Sequence, residues 1–307
     1  MLCFAVTGHA QDRPIVIGTG PVAGTYFPAG GAICNVFNRA RDGRGPRCLV
    51  ESTTGSLDNL ERLVRGEIDF ALVQSDWQYL ALRGGNQGDA VKVPDLRAVF
   101  SLQAHAIAIV VHPDTGVSAL EDLKGRRINL GPAGSAVRSA NESFVGALGW
   151  SRDDFGEISE LGMGQLGRAL CAGEIDAFVL PVSHPNGTVA AAAALCGARL
   201  LSVPGALVER LSADWPFYAP AAIPAGLYRG QSETIASYGV RAALVTLAHA
   251  PDEVVFALTR AVFSDLAGLT RQLPVLSSLT RDEMAKAGLV AEIHPGALRY
   301  FQSAAKD

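Results

Sequence analysis

Charge is scarce in this sequence. Only 18% of the 307 residues are Asp, Glu, Lys or Arg, the formal net charge is -4, and the basic residues are scattered. No stripe of Lys and Arg is present to follow a phosphate backbone, so nucleic acid is not an expected partner. Long hydrophobic runs are missing too. Val240 to Ala250 is interrupted by Arg241 and His249 and falls short of the ~20 residues that a membrane-spanning helix needs. The five cysteines (Cys3, Cys34, Cys48, Cys171, Cys196) show no C-x-x-C, which removes the usual zinc and redox patterns. A nucleophile elbow G-x-S-x-G, a zinc-binding H-E-x-x-H and a glycine-rich loop ending in Lys-Ser/Thr are likewise absent. Neither a catalytic centre, a metal nor a cofactor is expected. Ser135 with His184 would be the one imaginable hydrolase pair, and no acid is nominated to orient it.

What is present is a chain that is 49% hydrophobic, enough for a large core, and long enough for two domains. Residues 1–10 end in Gly8-His9-Ala10, a small-x-small pattern that suits signal peptidase, and read as the remnant of a secretory signal. With Cys3 inside that segment, four cysteines remain. One bridge is possible, Cys34–Cys48 or Cys171–Cys196, and small buried hydrophobes are the alternative.

Apolar runs alternate with helical patterns. The first set is a strand at Ile15–Ile17, a helix Pro28–Arg39, a strand Cys48–Glu51, a helix Ser56–Arg65, a strand Phe70–Val73 and a helix Ser75–Leu82. That βαβαβ order implies a parallel sheet covered by helices. Leu96–Val111 is a nearly continuous strand. The alternation then repeats through Arg127–Leu130, Ser135–Leu148, Gly164–Cys171, Ala177–Leu180 and Thr188–Cys196. "LVRGEIDFALVQSD" (Leu63–Asp76) and "ALCAGEIDAFVLPVSHP" (Ala169–Pro185) share a helix end, Gly-Glu-Ile-Asp and a buried strand. In both, the glycine (Gly66, Gly173) reads as a helix C-cap and the aspartate (Asp69, Asp176) opens the strand. The predicted fold is α/β, two similar α/β lobes joined by a hinge. Residues 14–104 with about 240–307 form lobe I, and 105–239 form lobe II.

In open α/β sheets ligands bind beyond the carboxyl ends of the strands. "IVIGTGPVAGTYFPAGG" (Ile15–Gly31) leads into such a loop, and Gly18, Gly20 and Ala23 fit a dinucleotide fingerprint. Pro21 and Pro28 argue against it, because Pro28 suits the first position of a helix and delays the helix that would hold a pyrophosphate. A small anion fits better. Ser56 in "TTGSLDN" reads as a helix N-cap with Asn59 one turn on, and "LGPAGSAVRSAN" repeats the device at Gly134–Ser135. Arg138 lies one turn into its helix and could pair a carboxylate. His184 is the one histidine in a strand-end loop.

"IGTGPVAGTYFPAGGAI", "ESTTGSLDNLERLVRGEIDFALVQSD", "DLKGRRINLGPAGSAVR", "GEIDAFVLPVSHP" and "IHPGALRYFQ" together resemble, over nearly the whole chain, the TAXI family of substrate-binding proteins, which serve tripartite TRAP transporters. The resemblance implies a two-lobed periplasmic binding protein (type II) fold and a periplasmic receptor that traps a small carboxylate between the two lobes, of the glutamate, glutamine or 2-oxoglutarate kind. It would deliver that solute to TRAP membrane permease subunits. By motif, the implied contacts are Gly24, Thr25, Tyr26, Ser56, Gln74, Ser75, Asp76, Gly134 and Ser135, with His184 and Pro185 on the second lobe. The sequence departs from the family pattern at Pro21-Val22-Ala23, where Gly-rich sequence is usual, and at Ala136-Val137, where Gly-Thr is usual. Both changes make the loops more apolar or poorer in donors. A ligand-sensing receptor for a signalling partner would carry the same sequence features.

Overall fold

A computed structural model describes residues 13–22, 25–41, 45–84, 91–133, 135–273, 276 and 279–304. The expected signal remnant, 1–10, lies outside them. In chain order the strands are β1 (Ile15–Gly18), β2 (Cys48–Glu51), β3 (Phe70–Gln74), β4 (Leu96–Val111), β5 (Arg127–Asn129), β6 (Glu157–Ser159), β7 (Ala177–Pro181), β8 (Arg199–Leu201), β9 (Ala219–Ile223) and β10 (Ile235–Leu247). The α-helices are α1 (Tyr26–Ala40), α2 (Ser56–Val64), α3 (Ser75–Arg83), α4 (Ala136–Ala147), α5 (Met163–Cys171), α6 (Gly187–Cys196), α7 (Gly205–Asp214), α8 (Asp252–Ser264), α9 (Leu266–Gln272), α10 (Arg281–Lys286) and α11 (Pro295–Ala304).

The chain divides into two compact units. The first is Met1–Gln103 with Ala242–Asp307, and the second is Ala104–Arg241. In the first, the strand order is β2-β1-β3-β10; β1 runs parallel to β2 and β3, and β10 pairs antiparallel with β3 through Ala242↔Gln74 to Val245↔Ala71. The second repeats this plan as β6-β5-β7-β4, with β5 parallel to β6 and β7 and β4 antiparallel to β7.

The inner strands β3 and β7 are buried on both faces, which explains why they read as nearly unbroken apolar runs. Because side chains alternate across a strand, Ile17, Phe70 and Leu72 join one core of the first unit, with Ile33, Val255 and Leu258 from α1 and α8. Ala71 and Val73 join the other, with Leu60 and Leu63 from α2. The second unit sorts the same way: Ile107, Ile109, Ala177 and Val179 face one side, and Ala108, Val110, Phe178 and Leu180 the other.

The repeated Gly-Glu-Ile-Asp has one structural job in both units. Gly66 (φ 68°) and Gly173 (φ 69°) sit in the left-handed region that glycine enters without a steric penalty, ending α2 and α5. Asp69 then takes the Val16 N–H (2.8 Å) and Asp176 the Arg127 N–H (2.9 Å), so each aspartate locks its strand to the parallel neighbour. Arg13 pairs with Asp69, and Arg127 Nη2 with Asp176 at 2.6 Å. Both cysteine pairs left open by the sequence are bridged. Cys34–Cys48 ties α1 to β2, and Cys171–Cys196 joins the ends of α5 and α6.

Candidate functional site

At the carboxyl edge of the first unit's sheet, α1, α2 and α3 begin where β1, β2 and β3 end. Their N-cap residues are Thr25, Gly55 and Gln74, and none of the three gives its helix a side-chain cap hydrogen bond. Two expectations need correction. Helix α1 starts at Tyr26 rather than Pro28, because the first turn has no need of a proline N–H and Pro28 fits there as well. Ser56 is the first helical residue of α2 rather than its cap. Gly55 holds that place with φ 124°, which a side chain would strain.

Ser56 is buried and accepts the Gln74 N–H at 3.2 Å. Tyr26, from α1, places its buried phenol beside the Ser56 hydroxyl. Burial, and then the nearby charge of Asp76, push the Tyr26 phenol above its ordinary range, so it stays a neutral donor. Ser75 is wholly buried at the start of α3, while Thr25, Gln74 and Asp76 are half-buried. Burial raises the Asp76 carboxyl to about 6, although it accepts the Trp77 N–H at 2.9 Å. Gly24 lies outside the described residues.

Asn59 lies under this edge and braces it. Fully buried, it donates from Nδ2 to the carbonyls of Thr19 (2.7 Å) and Leu72 (2.8 Å), joining the ends of β1 and β3. A Cβ on Gly18 would stand 2.7 Å from Asn59 Oδ1 and 2.4 Å from Ile68 Cδ1, so Gly18 is required for packing with no nucleotide involved. In the second unit, Asn141 on α4 makes the same pair of bonds, to Leu130 O (3.0 Å) and Val179 O (2.9 Å).

The second unit's strand-end loops satisfy themselves. Ser135 is the N-cap of α4 as expected; its Oγ accepts the Arg138 N–H (3.1 Å) and donates to Pro132 O (2.7 Å). Arg138 is buried rather than presented at the surface, with Nε on Glu142 (2.7 Å) and Nη1 on Gly131 O (3.1 Å) and Glu160 (3.4 Å). Asn186 caps α6 by accepting the Thr188 and Val189 N–H groups, while Gly162 leaves α5 without a side-chain cap. Gly134 lies outside the described residues.

His184 is held by both ring nitrogens. A carbonyl can only accept, so Nε2–H donates to Ala106 O at 3.1 Å, and Nδ1 accepts the Tyr228 O–H at 2.5 Å. Tyr228 Oη in turn takes the Asn186 N–H at 2.8 Å, behind a cis His184–Pro185 bond that leaves Pro185 exposed. Burial lowers the His184 pKa and keeps the ring neutral. No bond links it to Ser135, so the imagined hydrolase pair does not form. Sequence reasoning missed Tyr228, which lies 44 positions from His184, and no local pattern marks it.

A groove of about 580 Å³ runs between α5 and α6 past Gly164, Gly167, Ala191 and Leu195. Its lining is small and mostly apolar, unlike the polar edge of the first unit. Among the described residues, no three His, Cys, Asp or Glu side chains are placed to share a metal ion, and no helix is long and apolar enough to cross a membrane.

Residues 17–304 match the NMT1-like family. Among solved structures, a TctC solute binding protein from Polaromonas is similar at 16% identity and a TM-score of 0.57, over 97% of this chain and 100% of that one. The periplasmic sulfonate-binding protein SsuA from Methylobacillus flagellatus aligns at 14% identity and 0.51, over 84% and 69%. XAC2383 from Xanthomonas citri, bound to ATP, aligns at 10% and 0.52, over 97% and 96%. Likeness at this distance establishes the two-lobed α/β fold. With the family matching nearly the full length, the chain belongs to the NMT1-like family.

Proposed function

We propose that this protein is an extracytoplasmic solute-binding receptor that captures a small acid anion and hands it to a membrane permease. The observation that carries the reading is the edge of the first unit, where the N-cap residues of three helices, Thr25, Gly55 and Gln74, give no side-chain cap hydrogen bond, and only α3 has a first-turn substitute, Asp76 on the Trp77 N–H. Helix N-termini concentrate N–H donors and partial positive charge, and an anion supplies what a capping side chain otherwise would. In the second unit, Ser135 and Asn186 already fill that role on α4 and α6. Thr25, Tyr26, Ser56, Gln74, Ser75 and Asp76 form the polar lining at that edge. The names of the neighbours, a TctC solute binding protein and a periplasmic sulfonate-binding protein, support the receptor class. The two disulfides suit an oxidising compartment such as the periplasm. The TAXI resemblance favours a carboxylate and a TRAP permease; the SsuA likeness makes a sulfonate the natural comparison.

The test is a thermal-shift screen of carboxylates, sulfonates, amines, neutral sugars and ATP on protein stripped of carried-over solute. A binder at ~100 times its dissociation constant should stabilise the fold by ~2.7 kcal/mol. If amines, neutral sugars or ATP alone give that shift, the acid-receptor reading is wrong.

A further inference from the structure

The two disulfides sit in different surroundings. Cys34 and Cys48 are 4% and 3% exposed, and both belong to the core of the first unit with Ile15, Ile33 and Phe37. The Asn38 side chain also closes off the Cys48 backbone, accepting its N–H at 2.8 Å and donating to its carbonyl at 2.9 Å. Cys171 and Cys196 are only half-buried. Cys171 lines the groove between α5 and α6, and the groove has room in it: a Cβ on Gly164 or Gly187 would meet nothing within 4 Å. A solvent-borne thiol can reach this bridge and not the other.

The charges around it matter because the exchanging species is a thiolate. Both cysteines are the last residues of their helices, where the helix dipole disfavours a negative sulfur. Two arginines offset it. Arg168 lines the groove one turn before Cys171, and Arg229 Nη1 donates at 3.3 Å to Ala194 O, one of the last carbonyls of α6. Among the described residues that line the groove, none is acidic. Ala192 O lies 3.4 Å from Cys196 Sγ and 3.9 Å from Cys171 Sγ, placed to accept an S–H once the bridge is open.

We propose that Cys171–Cys196 is a thiol-exchange site that reacts with a dithiol reductant through the α5–α6 groove, while Cys34–Cys48 is a permanent structural bridge. The reductant's thiolate attacks Cys171 Sγ, the sulfur that the groove presents. A new S–S bond forms to Cys171 as the Cys171–Cys196 bond breaks, and its electron pair leaves with Cys196, which takes a proton from solvent. The reductant's second thiol, deprotonated, then displaces Cys171, which is protonated in turn. The dithiol ends as a disulfide and both cysteines as thiols. The bridge spans 25 positions and encloses β7, His184 and most of α6, so its redox state sets how firmly that segment is held.

The experiment treats folded protein with dithiothreitol at pH 8, quenches time points in acid, alkylates the free thiols and maps them by mass spectrometry. Cys171–Cys196 should open at least ~10-fold faster than Cys34–Cys48 without denaturant. Reduced glutathione, which has a single thiol, should be trapped at early times as an adduct on Cys171. Ala191→Phe, which fills the groove and leaves both bridges in place, should slow the opening of Cys171–Cys196 ~10-fold and leave Cys34–Cys48 as it was. Hydrogen exchange on the half-reduced protein should be faster in α6 and unchanged in α1. Equal rates for the two bridges, earlier opening of Cys34–Cys48, or opening of Cys171–Cys196 only in urea that unfolds the protein overturns the proposal. So does an adduct found on Cys196, a rate that Ala191→Phe does not alter, or α6 exchange that reduction leaves unchanged. Should Ala191→Phe not fold, the wild-type rates and the position of the glutathione adduct decide.

Discussion

Asp176→Ala tests whether the repeated Gly-Glu-Ile-Asp stands where it does for structural reasons. Asp176 accepts the Arg127 backbone N–H at 2.9 Å and the Arg127 guanidinium at 2.6 and 3.3 Å. Truncation leaves that N–H, between β5 and β7, without its acceptor, a loss of ~1.5–3 kcal/mol for a hydrogen bond to a charged group. The guanidinium is 42% exposed, so its share is discounted to at most ~1 kcal/mol. The sum is about 2–4 kcal/mol, a fall in melting temperature on the order of 10 °C for a unit of this size. The sign of the pH dependence follows from the carboxyl. Burial works to raise its pKa, but the bonds and charge of Arg127 outweigh burial and hold it below the usual range. The charged-form stabilisation is therefore complete above the unfolded value near 3.9 and is lost as pH falls through the lower folded value. Urea denaturation at pH 7 and pH 3 reads both effects, with Asp69→Ala as the matched variant in the first unit. A loss under 0.5 kcal/mol at pH 7, or a deficit that persists undiminished in acid, would refute the reasoning.

Three more outcomes are expected. Ser135→Ala should cost ~1 kcal/mol in urea denaturation, the usual loss for an N-cap, while calorimetry shows anion affinity changed less than ~3-fold. Tyr228→Phe removes the hydroxyl shared by His184 Nδ1 and Asn186 N–H; ¹⁵N spectra should show the His184 ring leaving its single tautomer, and an unchanged ring would contradict the assigned bonds. Reducing the disulfides should lower stability by about 3 kcal/mol per bridge, read as a lower melting temperature with reductant, whereas no change would mean that the bridges do not constrain the unfolded chain.

The parts legible in the sequence are those whose environment is uniform. β4 (Leu96–Val111) and the starts of β3 and β7 stand out because strands covered on both faces must be apolar throughout. β6, Glu157-Ile158-Ser159, pairs only along its β5 side and has one apolar residue, so periodicity has nothing to register. β9 is alanine-rich with an exposed Pro220, and its strand character comes from pairing with β10. At the site, local chemistry identified Ser135 as a cap, but Ser56 was displaced by the backbone freedom of Gly55. Arg138 illustrates the limit: its place one turn into a helix suggested a partner for a ligand carboxylate, and only the fold brings Gly131 and Glu160 around it. The same holds for Tyr228 and His184.

The first unit is assembled from both ends of the chain, with the second encoded as one uninterrupted stretch inside it. Ile17, Phe70 and Leu72 pack with Leu244, Val255, Leu258 and Tyr300, so the ribosome finishes the earliest strands long before it makes the residues that cover them. The middle segment, by contrast, holds all of its partners once Arg241 has emerged. Synthesis therefore reverses the usual vectorial order: the inserted half completes first, and the half that contains the N-terminus waits for the last sixty or so residues. Truncations from the carboxyl end should accordingly spare the middle and strand the beginning, exposing β1 and β3 to proteolysis while β5 and β7 stay protected.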